Sequence, residues 1–78
     1  MTELKSIEQV LSAIRPEFNF AGSQDFMGDG MLDSYDMMML VAELERVFSV
    51  TIAGVDITPE NFRNLDSVER LVNKYQAA

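Results

Sequence analysis

The chain has 78 residues, 47% of them hydrophobic, and carries 13 acidic against 6 basic side chains for a formal net charge of −7. It contains neither cysteine nor histidine, which excludes disulfides, thiolate metal sites, a thiol nucleophile and a Ser-His-Asp triad built from this chain alone. The length supports one domain spanning 1–78. The acidity argues against nucleic acid and anionic membrane surfaces as partners, and for proteins with basic patches.

No apolar run approaches the roughly 18 residues of a transmembrane helix. Met1-Thr2-Glu3-Leu4 leads directly into amphipathic sequence, without the basic start and apolar stretch of a signal peptide. A cytoplasmic protein with no direct membrane insertion is expected. The first periodic segment covers roughly 3–14: Leu4, Ile7, Leu11 and Ile14 fall at helical spacing and Val10 widens the stripe. Thr2 suits the N-cap, and Pro16 ends the helix by pushing residue 15 out of helical geometry.

Residues 16–33 read as a long loop, broken by Gly22, Ser23, Gly28 and Gly30. Loops of this length in compact domains are often functional. Phe18, Phe20 and Phe26 within it predict that it packs down on the core. A second helix is predicted from about 34 to 48, with Asp33 as N-cap and Asp36 at the third helical position in a capping-box arrangement. Thr58-Pro59-Glu60 reads as N-cap, first helical proline and first-turn acid of a short helix reaching Arg63. Asp66, with Glu69 three residues on, reads as the cap of a last helix whose apolar stripe is Val68, Leu71, Val72 and Tyr75. Val50-Thr51-Ile52 is too short and isolated to pair as a strand. The expected fold is all-α: a small antiparallel bundle of three main helices plus one short helix, with a long first loop.

The second helix carries two apolar stripes. Met37, Leu40, Val41, Leu44, Val47 and Phe48 follow the rhythm of a core-facing surface. Tyr35, Met38, Met39 and Ala42 share a second, offset face. A central helix buried nearly all round would account for it. So would an exposed docking stripe, for which flexible methionine is suited. Between residues 25 and 45 there are six acids (Asp25, Asp29, Asp33, Asp36, Glu43 and Glu45) and no base. Tyr35, Asp36, Met38, Ala42, Glu43 and Glu45 are accordingly the expected docking residues, on a patch of one sign that would steer basic partners. With that stripe assigned to transient partners, the chain is expected to be a monomer.

The run Asp29-Gly30-Met31-Leu32-Asp33-Ser34-Tyr35-Asp36, followed by an acid-flanked apolar helix ending Leu44-Glu45-Arg46-Val47-Phe48, resembles the acyl carrier protein family, and the resemblance covers most of the chain. In that family an Asp-Ser-Leu motif opens the second helix and the serine hydroxyl carries 4′-phosphopantetheine. The resemblance implies that Ser34 is the attachment point, with Asp33 as motif residue and cap. It implies a carrier that is not itself an enzyme, holding acyl intermediates as thioesters for fatty-acid, polyketide or related biosynthesis. Its partners would be a phosphopantetheinyl transferase, a loading ligase, and downstream synthases or transferases. Tyr35 stands where fatty-acid carriers usually have leucine. Leu-Asp-Ser-aromatic is closer to the D-alanyl and other free-standing aminoacyl carriers, which are loaded by an adenylating ligase. The residues agree with such a role: without histidine Ser34 is unactivated, hence a poor nucleophile but a good acceptor for an external transferase, and a helix N-terminus tolerates a phosphodiester.

Three rival readings bear on this. Leu65-Asp66-Ser67-Val68 repeats the motif, but lacks the preceding glycine-bearing loop and reads as capping chemistry. Asp25, Asp29, Gly30 and Asp33 match positions one, five, six and nine of an EF-hand loop, but Met27 and Asp36 stand at positions three and twelve, so no metal site is expected. A helical protein-interaction module would also explain the double-striped helix, and it needs no serine at 34. Met37-Met38-Met39 either fills core or lines a space for an acyl chain.

Overall fold

Three amphipathic segments bury their apolar stripes against one another. The computed structural model describes residues 4–77 and the side chains of residues 6–77. The helices are α1 (Leu4–Ile14), α2 (Ser34–Phe48) and α3 (Leu65–Ala77), and the described residues include no strand. α1 packs against both other helices, which meet each other less. The proposed cap Thr2 and the side chain of Leu4 lie outside the described residues. Ile7, Val10 and Leu11 are buried from α1, Leu40, Val41 and Leu44 from α2, and Val68, Leu71 and Val72 from α3. The Cα radius of gyration is 11.2 Å, close to the roughly 11.5 Å expected for a compact chain of this length.

The long first loop is part of the core. Phe20 and Phe26 are buried, and their rings meet edge-on at 5.2 Å, with Phe18 edge-on to Phe20 at 6.1 Å. The loop holds one 3-10 turn, Phe20–Gly22, and a helix-like turn begun by Asp25. The Asp25 carboxylate accepts from the Gly28 amide at 3.0 Å, and its carbonyl accepts from Asp29 at 2.8 Å. Gly30 ends that turn at φ +75°, a conformation open to glycine at little cost. Met31 and Leu32 then both donate to the Phe26 carbonyl. The aspartate–glycine spacing that suggests a calcium loop is therefore turn chemistry.

α2 begins at Ser34 behind an Asp33 cap. The Asp36 amide donates to Asp33 Oδ1 at 2.8 Å and the Asp33 amide donates to Asp36 Oδ2 at 3.2 Å, so the capping box is complete. At its far end Ser49 takes the left-handed conformation (φ 55°, ψ 47°) and the Val50 amide also returns to the Glu45 carbonyl.

Three expectations are corrected. The short helix over 58–63 does not form. Thr58 caps one turn, accepting from Asn61 and Phe62, but the next groups bond elsewhere. The Arg63 amide donates forward to Ser67 Oγ at 3.1 Å, and the Arg63 carbonyl accepts from Phe26 at 2.7 Å. The short element beside it is instead a 3-10 turn at Gly54–Asp56. The cap of α3 is Asn64, not Asp66: the Ser67 amide donates to Asn64 Oδ1 at 2.9 Å and the Asn64 amide to Ser67 Oγ at 3.0 Å. Val47, expected in the core stripe, is 43% exposed, on an open groove of about 250 Å³ with Val10, Ala13 and Glu43.

Because Phe26 links the loop to the core through both its ring and its backbone, Phe26→Ala is expected to cost about 3–5 kcal/mol. That is a large part of the roughly 4–12 kcal/mol that about 0.05–0.15 kcal/mol per residue gives for a chain of 78 residues. Urea unfolding followed by circular dichroism should show the midpoint collapse; a shift below about 1 kcal/mol would mean that the loop is not part of the cooperative core.

Candidate functional site

Ser34 is the first residue of α2 and is exposed. The Asp33 carboxylate takes the Asp36 amide, and the Met37 amide reaches the Asp33 carbonyl at 2.9 Å. Among the described residues the Ser34 hydroxyl and the Ser34 and Tyr35 amides have no hydrogen-bond acceptor or donor partner. An accessible hydroxyl thus stands beside two free amides at the positive end of a 15-residue helix, a setting that suits a phosphate ester.

Ser67 is the contrast. It is buried, its Oγ donates to the Asn64 carbonyl at 2.9 Å, and the same Oγ accepts from the Arg63 and Asn64 amides. Its hydroxyl is saturated by capping work, as its sequence setting suggests.

The second face of α2 is open. Tyr35 is 71% exposed and Met38 69%, Met39 is partly exposed, and Ala42 is exposed. Met37 is half-buried and packed on the core, so the methionine run divides between the two stripes. The central-helix explanation, buried nearly all round, does not hold.

The acids of the expected patch divide as well. Asp36 is only 4% exposed and is not available to a partner. Arg15 Nε and Nη2 both reach Asp36 Oδ2 at 2.9 Å, and Nη2 lies 3.8 Å from Asp33 Oδ2. Glu45 accepts from the Ile52 amide at 2.9 Å and so holds the segment after α2. Glu43 binds Arg46 at 2.9 Å. The rim is therefore not of one sign: Arg15 and Arg46 enter it from outside the 25–45 window. Among the described residues no group of three or more acids is placed to hold a metal ion, and the carboxylate at the twelfth loop position is the one bound to Arg15.

Arg15 is the residue that sequence reasoning left out. A signal existed, since it is the one base between Lys5 and Arg46, but nothing in the sequence says which acid it meets. Burial alone would push the Asp36 carboxyl up. The hydrogen bonds from Arg15 and from the Asp33 amide outweigh burial and hold it below the usual carboxylate value, and the same contact raises Arg15. A second cluster lies apart from Ser34. The Tyr75 hydroxyl and Lys74 Nζ donate to Asp56 Oδ2, which lowers the Asp56 carboxyl, while the Ala53 amide donates to the Tyr75 oxygen at 3.0 Å.

The geometry thus places one exposed hydroxyl at a helix start beside an apolar face. A stretch of 41 residues is 44% identical to aminoacyl carrier protein 1 of Bradyrhizobium diazoefficiens, covering 53% of this chain and 46% of that protein. The match thus spans about half the length of the curated relative. No protein-family model matches the chain, and no solved structure matches it significantly. The likeness supports a carrier-protein family. No helix among the described residues is long and apolar enough to cross a membrane.

Asp36 has a folded-state pKa below its unfolded one, so its pairing contributes stability above about pH 4 that is lost as pH falls through the lower, folded value. Asp36→Asn should be less stable than the parent at pH 6, with the gap closing below about pH 4. Urea midpoints measured from pH 3 to 7 would show this; a gap that does not change with pH would contradict it.

Proposed function

We propose that this chain is a non-catalytic carrier that holds its cargo as a thioester on a 4′-phosphopantetheine arm attached to Ser34. The observation that carries the reading is the free, exposed Ser34 hydroxyl beside two unpaired amides at the start of α2. The residues present fit the group. The helix start offers donors for phosphate oxygens, and Arg15 offsets one of the two negative charges of Asp33 and Asp36. When bound, the arm supplies the thiol that a cysteine-free chain lacks. Among the described residues no side chain accepts from the Ser34 hydroxyl, and the sequence has no histidine. The chain's part is to present Oγ to an external transferase, where Oγ bonds to phosphorus, the phosphoanhydride bond of coenzyme A breaks, and the hydroxyl proton passes to a base on the transferase.

Of the two cargos that the sequence leaves open, aminoacyl cargo loaded by an adenylating ligase is favoured over fatty or polyketide acyl cargo. Two observations favour it: the likeness to an aminoacyl carrier protein, and the aromatic Tyr35 after the serine. Tyr35, Met38 and Ala42 are the proposed contact surface for partner enzymes, with Glu43 at its margin. Asp36 and Glu45 are withdrawn from it, because both carboxylates are engaged within the chain. The setting proposed is a cytoplasmic monomer, folded as a single antiparallel three-helix domain over 1–78.

Incubation with coenzyme A and a promiscuous phosphopantetheinyl transferase should add the mass of one phosphopantetheine, and Ser34→Ala should abolish the gain. No gain, or a gain that survives the substitution, would end the assignment. An interaction module without an arm would keep its partner binding in Ser34→Ala. On the same footing, Met38→Glu should raise the KM for loading about tenfold, equivalent to about 1.4 kcal/mol, with helicity unchanged. Loading at the parent KM would remove Met38 from the contact surface.

A further inference from the structure

Four acids, Asp25, Asp29, Asp33 and Asp36, lie within twelve residues of chain that end just after Ser34, and this stretch contains no base. The donor of a phosphopantetheine group is itself a multiply charged phosphate. The carboxylates of Asp33 and Asp36, one residue before and two after the accepting serine, oppose its approach, whatever the net charge of −7 does to attract a basic enzyme at long range.

The tertiary structure brings one cation to this place. Arg15 lies just beyond the end of α1, 21 residues before Asp36, and binds it through two nitrogens. Its Nη2 is also 3.8 Å from Asp33, and Nη1 is 3.6 Å from Glu17. Arg46, the other base on this side of the sequence, is held by Glu43 near the far end of α2. The Arg15 side chain is 38% exposed, so its charge is felt outside as well as within the clasp.

We infer that Arg15 is a positioning residue for the modification of Ser34, one that offsets part of the negative charge of Asp33 and Asp36 so that the phosphate-bearing donor can approach the hydroxyl. This rests on the carrier reading above. With Arg15 present, the cluster of Arg15, Glu17, Asp33 and Asp36 sums to two negative charges; without it the three carboxylates sum to three. The transfer is unchanged in its bonds: Ser34 Oγ bonds to phosphorus, the phosphoanhydride bond of coenzyme A breaks with adenosine 3′,5′-bisphosphate leaving, and the proton goes to the transferase. Arg15 makes no bond in it. It sets the field in which the bonds are made.

The test is the initial rate of phosphopantetheine gain by intact mass, with coenzyme A and a transferase, at carrier concentrations below KM. It is read for the parent, Arg15→Gln, Arg15→Lys, and the double variant Arg15→Gln with Asp36→Asn. Helicity is checked by circular dichroism. Arg15→Gln should lower kcat/KM about tenfold at low salt, and the deficit should shrink toward 1 M salt, where charges are screened beyond about 3 Å. Arg15→Lys should keep most of the rate. The double variant has no ion pair but carries the parent's local charge, and should be modified at close to the parent rate. A purely structural role would leave the double variant as slow as Arg15→Gln and the deficit independent of salt; either result overturns the inference. If Arg15→Gln alone loses its helicity, the double variant decides by the same criterion. Failure of the parent to be modified would overturn the carrier reading, and this inference with it; modification of a folded Arg15→Gln at the parent rate would overturn this inference alone.

Discussion

The ion pair between Arg15 and Asp36 is the constraint around which the rest of the structure is arranged. One carboxylate oxygen, Asp36 Oδ2, accepts from Arg15 and from the Asp33 amide. The first contact ties the end of α1 to the start of α2. The second completes the capping box that sets where α2 begins, and so which residue stands first in it. A buried carboxylate is tolerated only when paired and hydrogen-bonded, and Asp36 is both. The loop between the two helices must therefore leave and return at neighbouring points. It does so by turning its phenylalanines inward, with Phe20 and Phe26 buried edge-on and Phe26 bonded across to the segment before α3.

This arrangement separates two properties that the sequence merges. The net charge of −7 acts over a distance of the order of the Debye length, about 10 Å at 0.1 M salt, and governs encounter. At contact range the acids on and around α2 are engaged with Arg15, Arg46 and the Ile52 amide, and Tyr35 and Met38 stand clear of them. The surface next to Ser34 is apolar in the middle, with its marginal acids partly offset by Arg15 and Arg46. A partner would be drawn by charge and held by apolar contact.

The two Leu-Asp-Ser segments show how far local sequence reaches. Both lie at helix starts and both serines fall where capping is favoured. At 33–36 the box is made by Asp33 with Asp36, which leaves the serine between them free. At 64–67 the box is made by Asn64 with Ser67 itself, which uses the hydroxyl up. A shift of the helix start by two residues relative to the motif exchanges the two outcomes: Ser34 is the first residue of its helix and Ser67 the third of its own. The unformed helix at 58–63 has a related cause: Thr58 and Pro59 are good starting residues, but the backbone of Arg63 is claimed by Ser67 on one side and Phe26 on the other. Propensity yields there to the capping serine of the next helix and to Phe26, a partner distant in sequence.

The sequence by itself determined the three main helices, the inward-packed loop, the Asp33 cap, the place of Ser34 at the start of α2 and the capping use of Ser67. Each rests on neighbours within a few residues, through helical spacing, glycine punctuation or capping stereochemistry. It also placed Tyr35, Met38 and Ala42 on one face, since a helix of known phase fixes which side chains lie together. Only the tertiary structure decided which acids remain available. Whether a carboxylate faces solvent or an arginine depends on contacts across 21 residues and between helices, and charge counted along the chain carries no record of them. Asp36 moved in this way from the expected docking surface into the base of the site, and Arg15, absent from the expected set, became its counterion.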